Sequence, residues 1–86
     1  MPTISQFLGI LIRMYFNDHA PPHFHALYNE HEAVIRIEPL NVIEGSLPRR
    51  ALGLVFDWAE LHRAELLNDW ELCRTQRQPL KIAPLE

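Results

Sequence analysis

The hydrophobic positions of this chain change their period near residue 46, dividing it into a strand-forming first half and a helix-forming second half. Residues 10–16, Ile-Leu-Ile-Arg-Met-Tyr-Phe, are rich in β-branched and aromatic side chains and run into Asn17-Asp18. Asparagine and aspartate favour turns by bonding nearby backbone, so 10–16 reads as a first strand. Pro21-Pro22 offers no backbone donors and suits the start of a strand rather than its middle, which places a second strand over 23–28. After a short Asn29-Glu30 connection, residues 32–38 alternate charged with apolar side chains until Pro39 stops them. Residues 42–44, between Asn41 and Gly45, are long enough for a short fourth strand.

Ser46 stands before Leu47-Pro48, where serine can accept from an early backbone N–H and proline tolerates the first turn, so a helix is predicted over 47–67. At about 100° per residue, Ala51, Val55, Trp58, Ala59, His62 and Leu66 share one face, opposite Arg49, Gly53, Glu60 and Ala64. Asn68 with Glu71 three residues later resembles a capping box, which predicts a second, shorter helix over 69–77 that Pro79 ends. The tail 80–86 should be extended. The predicted fold class is α+β: one domain over 1–86, an antiparallel meander of three to four strands covered on one face by a long and a short C-terminal helix.

Strand alternation then assigns faces. Ile10, Ile12, Met14 and Phe16, with Phe24, Ala26 and Tyr28 and with Ala33, Ile35 and Ile37, form an apolar side for the helices. The other side carries Arg13, Tyr15, His23, His25, Leu27, Glu32, Val34, Arg36 and Glu38. His23 and His25, two apart on one strand, have Cβ atoms roughly 7 Å apart on the same side, within reach of one metal ion. A third ligand would come from Asp18 or His19 in the preceding turn, or from Glu32 across the hairpin. Without a metal, the two imidazoles beside Arg13, Tyr15 and Arg36 could serve as general base and acid while arginine holds a phosphoryl oxygen, a combination suited to RNA cleavage. A purely structural role, with both histidines shaping the Pro-Pro hairpin, requires no ligand.

Composition narrows the classes. At 86 residues there is room for one core, and 48% apolar with 22% charged residues matches an ordinary globular domain. The longest apolar run, 7–12, is far short of a bilayer span, and no basic segment, apolar stretch and cleavage site open the sequence, so a cytoplasmic protein with no membrane partner is expected. Cys73 is the single cysteine, which excludes an intramolecular disulfide and a thiolate cluster built within one chain. A net charge of −3 disfavours free nucleic acid as a direct partner. Five histidines would carry that charge to +2 if all were protonated, so mildly acid conditions bear on behaviour.

His62 falls on the apolar helix face, one turn after Trp58, where an imidazole needs a backbone carbonyl or carboxylate partner. Trp58 and Trp70 read as core. Phe56, near Arg49 and Arg63 and projected away from the core, marks a candidate protein-contact surface.

Several stretches together resemble one known family: Met-Pro-Thr-Ile-Ser at the start, Arg-Met-Tyr-Phe-Asn-Asp-His-Ala-Pro-Pro-His-Phe-His, Glu-Gly-Ser-Leu-Pro-Arg-Arg, and Trp-Ala-Glu-Leu-His. In length and order they are similar to the bacterial domain of unknown function family 4160, across essentially the whole chain. The family's Pro-His-Phe-His core falls on Pro22, His23, Phe24 and His25, and its Trp-x-x-x-His pattern on Trp58 and His62. The resemblance implies no activity. It does imply a small gene beside another small uncharacterised gene, in the manner of toxin–antitoxin pairs, and some members carry a transcriptional-regulator label. Two functional expectations result: a protein-binding component of such a two-gene module, whose partner is the neighbouring gene's product, or a small hydrolase or RNase-like enzyme working at His23 and His25 with or without a divalent metal.

Overall fold

In the computed structural model, which describes residues 2–86, five antiparallel strands form one sheet in chain order: β1 Thr3–Phe7, β2 Ile10–Arg13, β3 His23–Tyr28, β4 His31–Arg36 and β5 Asn41–Gly45. Two helices follow, α1 Arg49–Leu61 and α2 Arg63–Arg74. The class is α+β as expected, with one strand more than the three to four predicted. No helix among the described residues is long and apolar enough to cross a membrane.

The additional strand is β1. Phe7 pairs with Ile10 around Leu8 and Gly9, both at positive φ (50° and 81°), the backbone shape of a tight two-residue hairpin. Ile4 and Phe7 are both buried although three residues apart, because the register shifts between Thr3 and Ser5. A bulge of this kind breaks the two-residue period.

β2 is shorter than predicted. The chain leaves the sheet after Arg13 and turns at Asn17, which has φ 58°, so Tyr15 lies beyond the strand and Phe16 is exposed rather than part of the core. β4 likewise stops at Arg36, although Ile37 stays buried. The hairpin at Asn29-Glu30 forms as expected, with Tyr28 opposite His31.

The helical half divides differently from the prediction. A break at His62 (φ −118°) replaces one helix over 47–67, and Asn68 lies inside α2 rather than capping it. No side chain caps α1, and Pro48 occupies its N-cap position in place of Ser46. The apolar stripe is nevertheless as projected: Ala51, Val55, Trp58, Ala59 and Leu66 are buried with Trp70 and Cys73 against the sheet's apolar side. Phe56 is half-buried against that core, not free on the far side, and Arg63 is held by both carboxylate oxygens of Glu60 at 2.8 and 2.9 Å, while Arg49 is exposed. His62 is half-buried rather than enclosed in the core: its carboxylate partner is the exposed Glu65, and its ring sits against Trp58.

The extended tail straps the two layers. Ile82 N–H donates to Ile4 O at 2.8 Å, Lys81 Nζ to Thr3 O at 2.8 Å, and Trp58 Nε1–H to Ala83 O at 2.8 Å. The β1 edge is thereby covered by the chain's own C-terminus.

Candidate metal centre

Alternation along β3 directs Phe24 and Ala26 into the core and His23 and His25 to the other face, as the sequence predicts. That face is not open above them. The connection 14–22 folds back across it, and His25 is only 9% exposed. The Tyr15 ring stacks on His25 with centroids 4.2 Å apart. Trp70 of α2 reaches the end of the sheet and packs against His23 at 5.0 Å, so the helical layer meets the histidine pair at its edge.

The turn before β3 supplies the third group. Asp18 Oδ2 lies 2.9 Å from His23 Nε2 and 3.5 Å from His25 Nε2. One donor atom each from Asp18, His23 and His25 falls within 4.8 Å of the others. Atoms bound at about 2.0–2.1 Å around a tetrahedral zinc ion would lie roughly 3.3 Å from one another, and the two distances to Asp18 bracket that value.

The remaining ring nitrogens are already committed. His23 Nδ1–H donates to Pro21 O at 2.8 Å and His25 Nδ1–H to Glu32 Oε2 at 3.0 Å, since a carbonyl and a carboxylate can only accept. At His25 this leaves the Nε2 lone pair 3.5 Å from Asp18 Oδ2, whereas His23 Nε2–H donates to Asp18 Oδ2 at 2.9 Å, a proton whose place a bound cation would take. His25 Nε2 is shielded from solvent and has no hydrogen-bond partner among the described residues. Buried polar atoms are ordinarily satisfied, and a nitrogen lone pair aimed at a carboxylate is satisfied by a cation between them.

Asp18 is held in the charged form. Burial alone would raise its carboxyl, but the His19 N–H at 2.8 Å, then His23 and His25, outweigh burial and bring it below the usual carboxylate value. His19 thus contributes its backbone. Its exposed side chain lies on the wall of the cleft and outside the three-donor cluster. Glu32, the other third-ligand candidate, orients His25 instead.

A cleft of about 290 Å³ opens beside the cluster. Tyr15, Asp18, His23 and His25 line it together with Ala20, Pro21, Val34 and Ile43, and so does Glu44 of β5, a residue that sequence reasoning missed. The signal for Glu44 was the register: it stands opposite Val34, which stands opposite His25. Arg13 and Arg36 stand directly opposite His25 and His23, yet neither is among the residues lining the cleft.

No curated protein and no solved structure matches this chain. One family model does, over residues 9–71, a span that contains Asp18, His23, His25, Glu32 and Glu44. The chain belongs to that family, described as a domain of unknown function, DUF4160.

Proposed function

We propose that this protein is a small metal-dependent hydrolase that binds one first-row divalent cation through Asp18 Oδ2, His23 Nε2 and His25 Nε2. The observation that carries the reading is the convergence of three possible ligand atoms with each imidazole fixed from behind, by Pro21 O and by Glu32. Two imidazoles and one carboxylate suit zinc or iron(II), and three protein ligands leave a coordination position for water, the arrangement of catalytic rather than structural sites. The adjoining cleft gives a substrate access to that position. Burial of the ligands and the stacked Tyr15 and Trp70 rings limit their movement, which lowers the ordering cost of binding. The test is metal content after reconstitution with zinc or iron(II), followed by titration. One ion per chain is expected, falling to none in the His23→Ala, His25→Ala double variant; equal binding by that variant refutes the site.

A second reading, a protein-binding component of a two-gene module, is supported by Leu8, which is 65% exposed on a groove formed with Ile10, Tyr28, Pro48, Arg50 and Leu54. Co-purification of the neighbouring gene's product with the wild type but not with Leu8→Glu tests it.

A further inference from the structure

We infer that Glu44 is the general base of this site and that the substrate is an uncharged acyl compound, an ester or amide, rather than a phosphodiester. The inference rests on the metal reading above. Three observations carry it. Glu44 lines the same cleft as the three donors without belonging to their cluster, so its carboxylate is not consumed as a ligand. It forms no ion pair among the described residues, which leaves it a free acceptor, unlike Asp18 and Glu32. By register it stands two strands from His25, about 10 Å between backbones at normal sheet spacing, a gap that a glutamate side chain and one water fill from either side.

The substrate class follows from what the lining contains. Beyond the donors, Tyr15, His19 and Glu44, the walls are Ala20, Pro21, Val34 and Ile43, with no lysine or arginine. Phosphoryl transfer depends on cationic clamps around the equatorial oxygens, and a phosphodiester anion here would face the Glu44 carboxylate instead. An acyl carbon needs only one polarising cation and a base. Water at the open position gives a proton to the Glu44 carboxylate and its oxygen bonds to the acyl carbon. The bond from that carbon to the leaving oxygen or nitrogen then breaks, and the proton on Glu44 passes to the leaving group. One water is consumed, and acid plus alcohol or amine are released.

The experiment uses the zinc-reconstituted full-length chain, its zinc content measured first, with p-nitrophenyl acetate and bis(p-nitrophenyl) phosphate as probes. Expected are zinc-dependent cleavage of the acetate well above that of the phosphate, and a loss of about 100-fold or more in kcat/KM for Glu44→Gln at unchanged zinc stoichiometry. Glu44→Asp, which keeps a carboxylate, should recover part of the kcat/KM lost in Glu44→Gln, a difference that a structural role for residue 44 would not produce. Zinc bound with neither ester cleaved, with the phosphate preferred, or with Glu44→Gln as active as wild type overturns the inference and leaves the metal site standing. Absence of zinc overturns both.

Discussion

Glu32 Oε2 stands 3.0 Å behind His25 Nδ1, on the side of the imidazole opposite Asp18. The pair crosses the β3–β4 hairpin diagonally, because Glu32 is directly opposite Leu27, two residues beyond His25. That contact fixes which nitrogen of His25 carries the proton, and therefore which one is free to ligate. Glu32→Ala should weaken zinc binding by about 10–100-fold, the range for loss of an outer carboxylate behind a ligating histidine. Glu30→Ala, on the exposed turn of the same hairpin, is the control. Calorimetric titration checks the prediction; equal affinities for the two variants would show that the Glu32 contact has no influence on the donor.

Gly45 closes β5 against the backbone of Glu32. It has φ +74°, and a Cβ built there would come 2.1 Å from Glu32 O, the oxygen that also accepts Ser46 N–H. Gly45→Ala therefore meets both left-handed strain and a backbone clash that no side-chain rotation relieves. The cost should be about 1–3 kcal/mol, read as a lower midpoint in urea at an unchanged slope. A variant as stable as wild type would mean that the end of β5 relaxes freely.

The sheet faces were legible because alternation is enforced wherever one side is packed: Ile10, Ile12, Met14, Phe24, Ala26, Ala33, Ile35 and Ile37 are all buried. The His23/His25 pair was legible for the same reason. β1 was not, since its bulge places Ile4 and Phe7 inside at odd spacing. The helix break at His62 left no mark either. Ala59, His62 and Leu66 continue one stripe in phase, and neither glycine nor proline punctuates it. Which of Asp18, His19 and Glu32 would complete the donor set depended on how 14–22 folds back over the sheet, a tertiary event that no local periodicity encodes.

Gly53 is the opposite case to Gly45. It lies inside α1, is exposed, and a Cβ there would meet nothing within 4 Å. Gly53→Ala removes backbone freedom from the unfolded chain at no packing cost and should stabilise by about 0.5–1 kcal/mol. For a domain of this size that is a rise of roughly 2–8 °C in Tm. No rise in calorimetric Tm would indicate that this glycine has a contact outside the monomer.

Asp69 sets a pH dependence of stability. It is 1% exposed on α2; Oδ1 accepts Leu80 N–H at 2.9 Å, and Oδ2 is buried with no hydrogen-bond partner among the described residues. Burial is the largest influence and raises its carboxyl above the ordinary value, against the Leu80 N–H and with help from the charge of Glu65. Lys81 lines the same hollow, and the Cys73 thiol, raised by burial and then by Asp69, lies nearby. A folded state that holds the Asp69 proton more tightly than the unfolded chain loses stability as pH rises from about 3.9, the unfolded value, through the raised folded value, and then levels off. Asp69→Asn keeps a carbonyl for Leu80 and cannot ionise. Its stability minus that of wild type should therefore climb across that window and stay constant above it, whatever other groups titrate in both proteins. Thermal unfolding of the two proteins at matched pH values gives this difference directly; a difference that is flat with pH, or that falls, would show that Asp69 ionises as easily folded as unfolded.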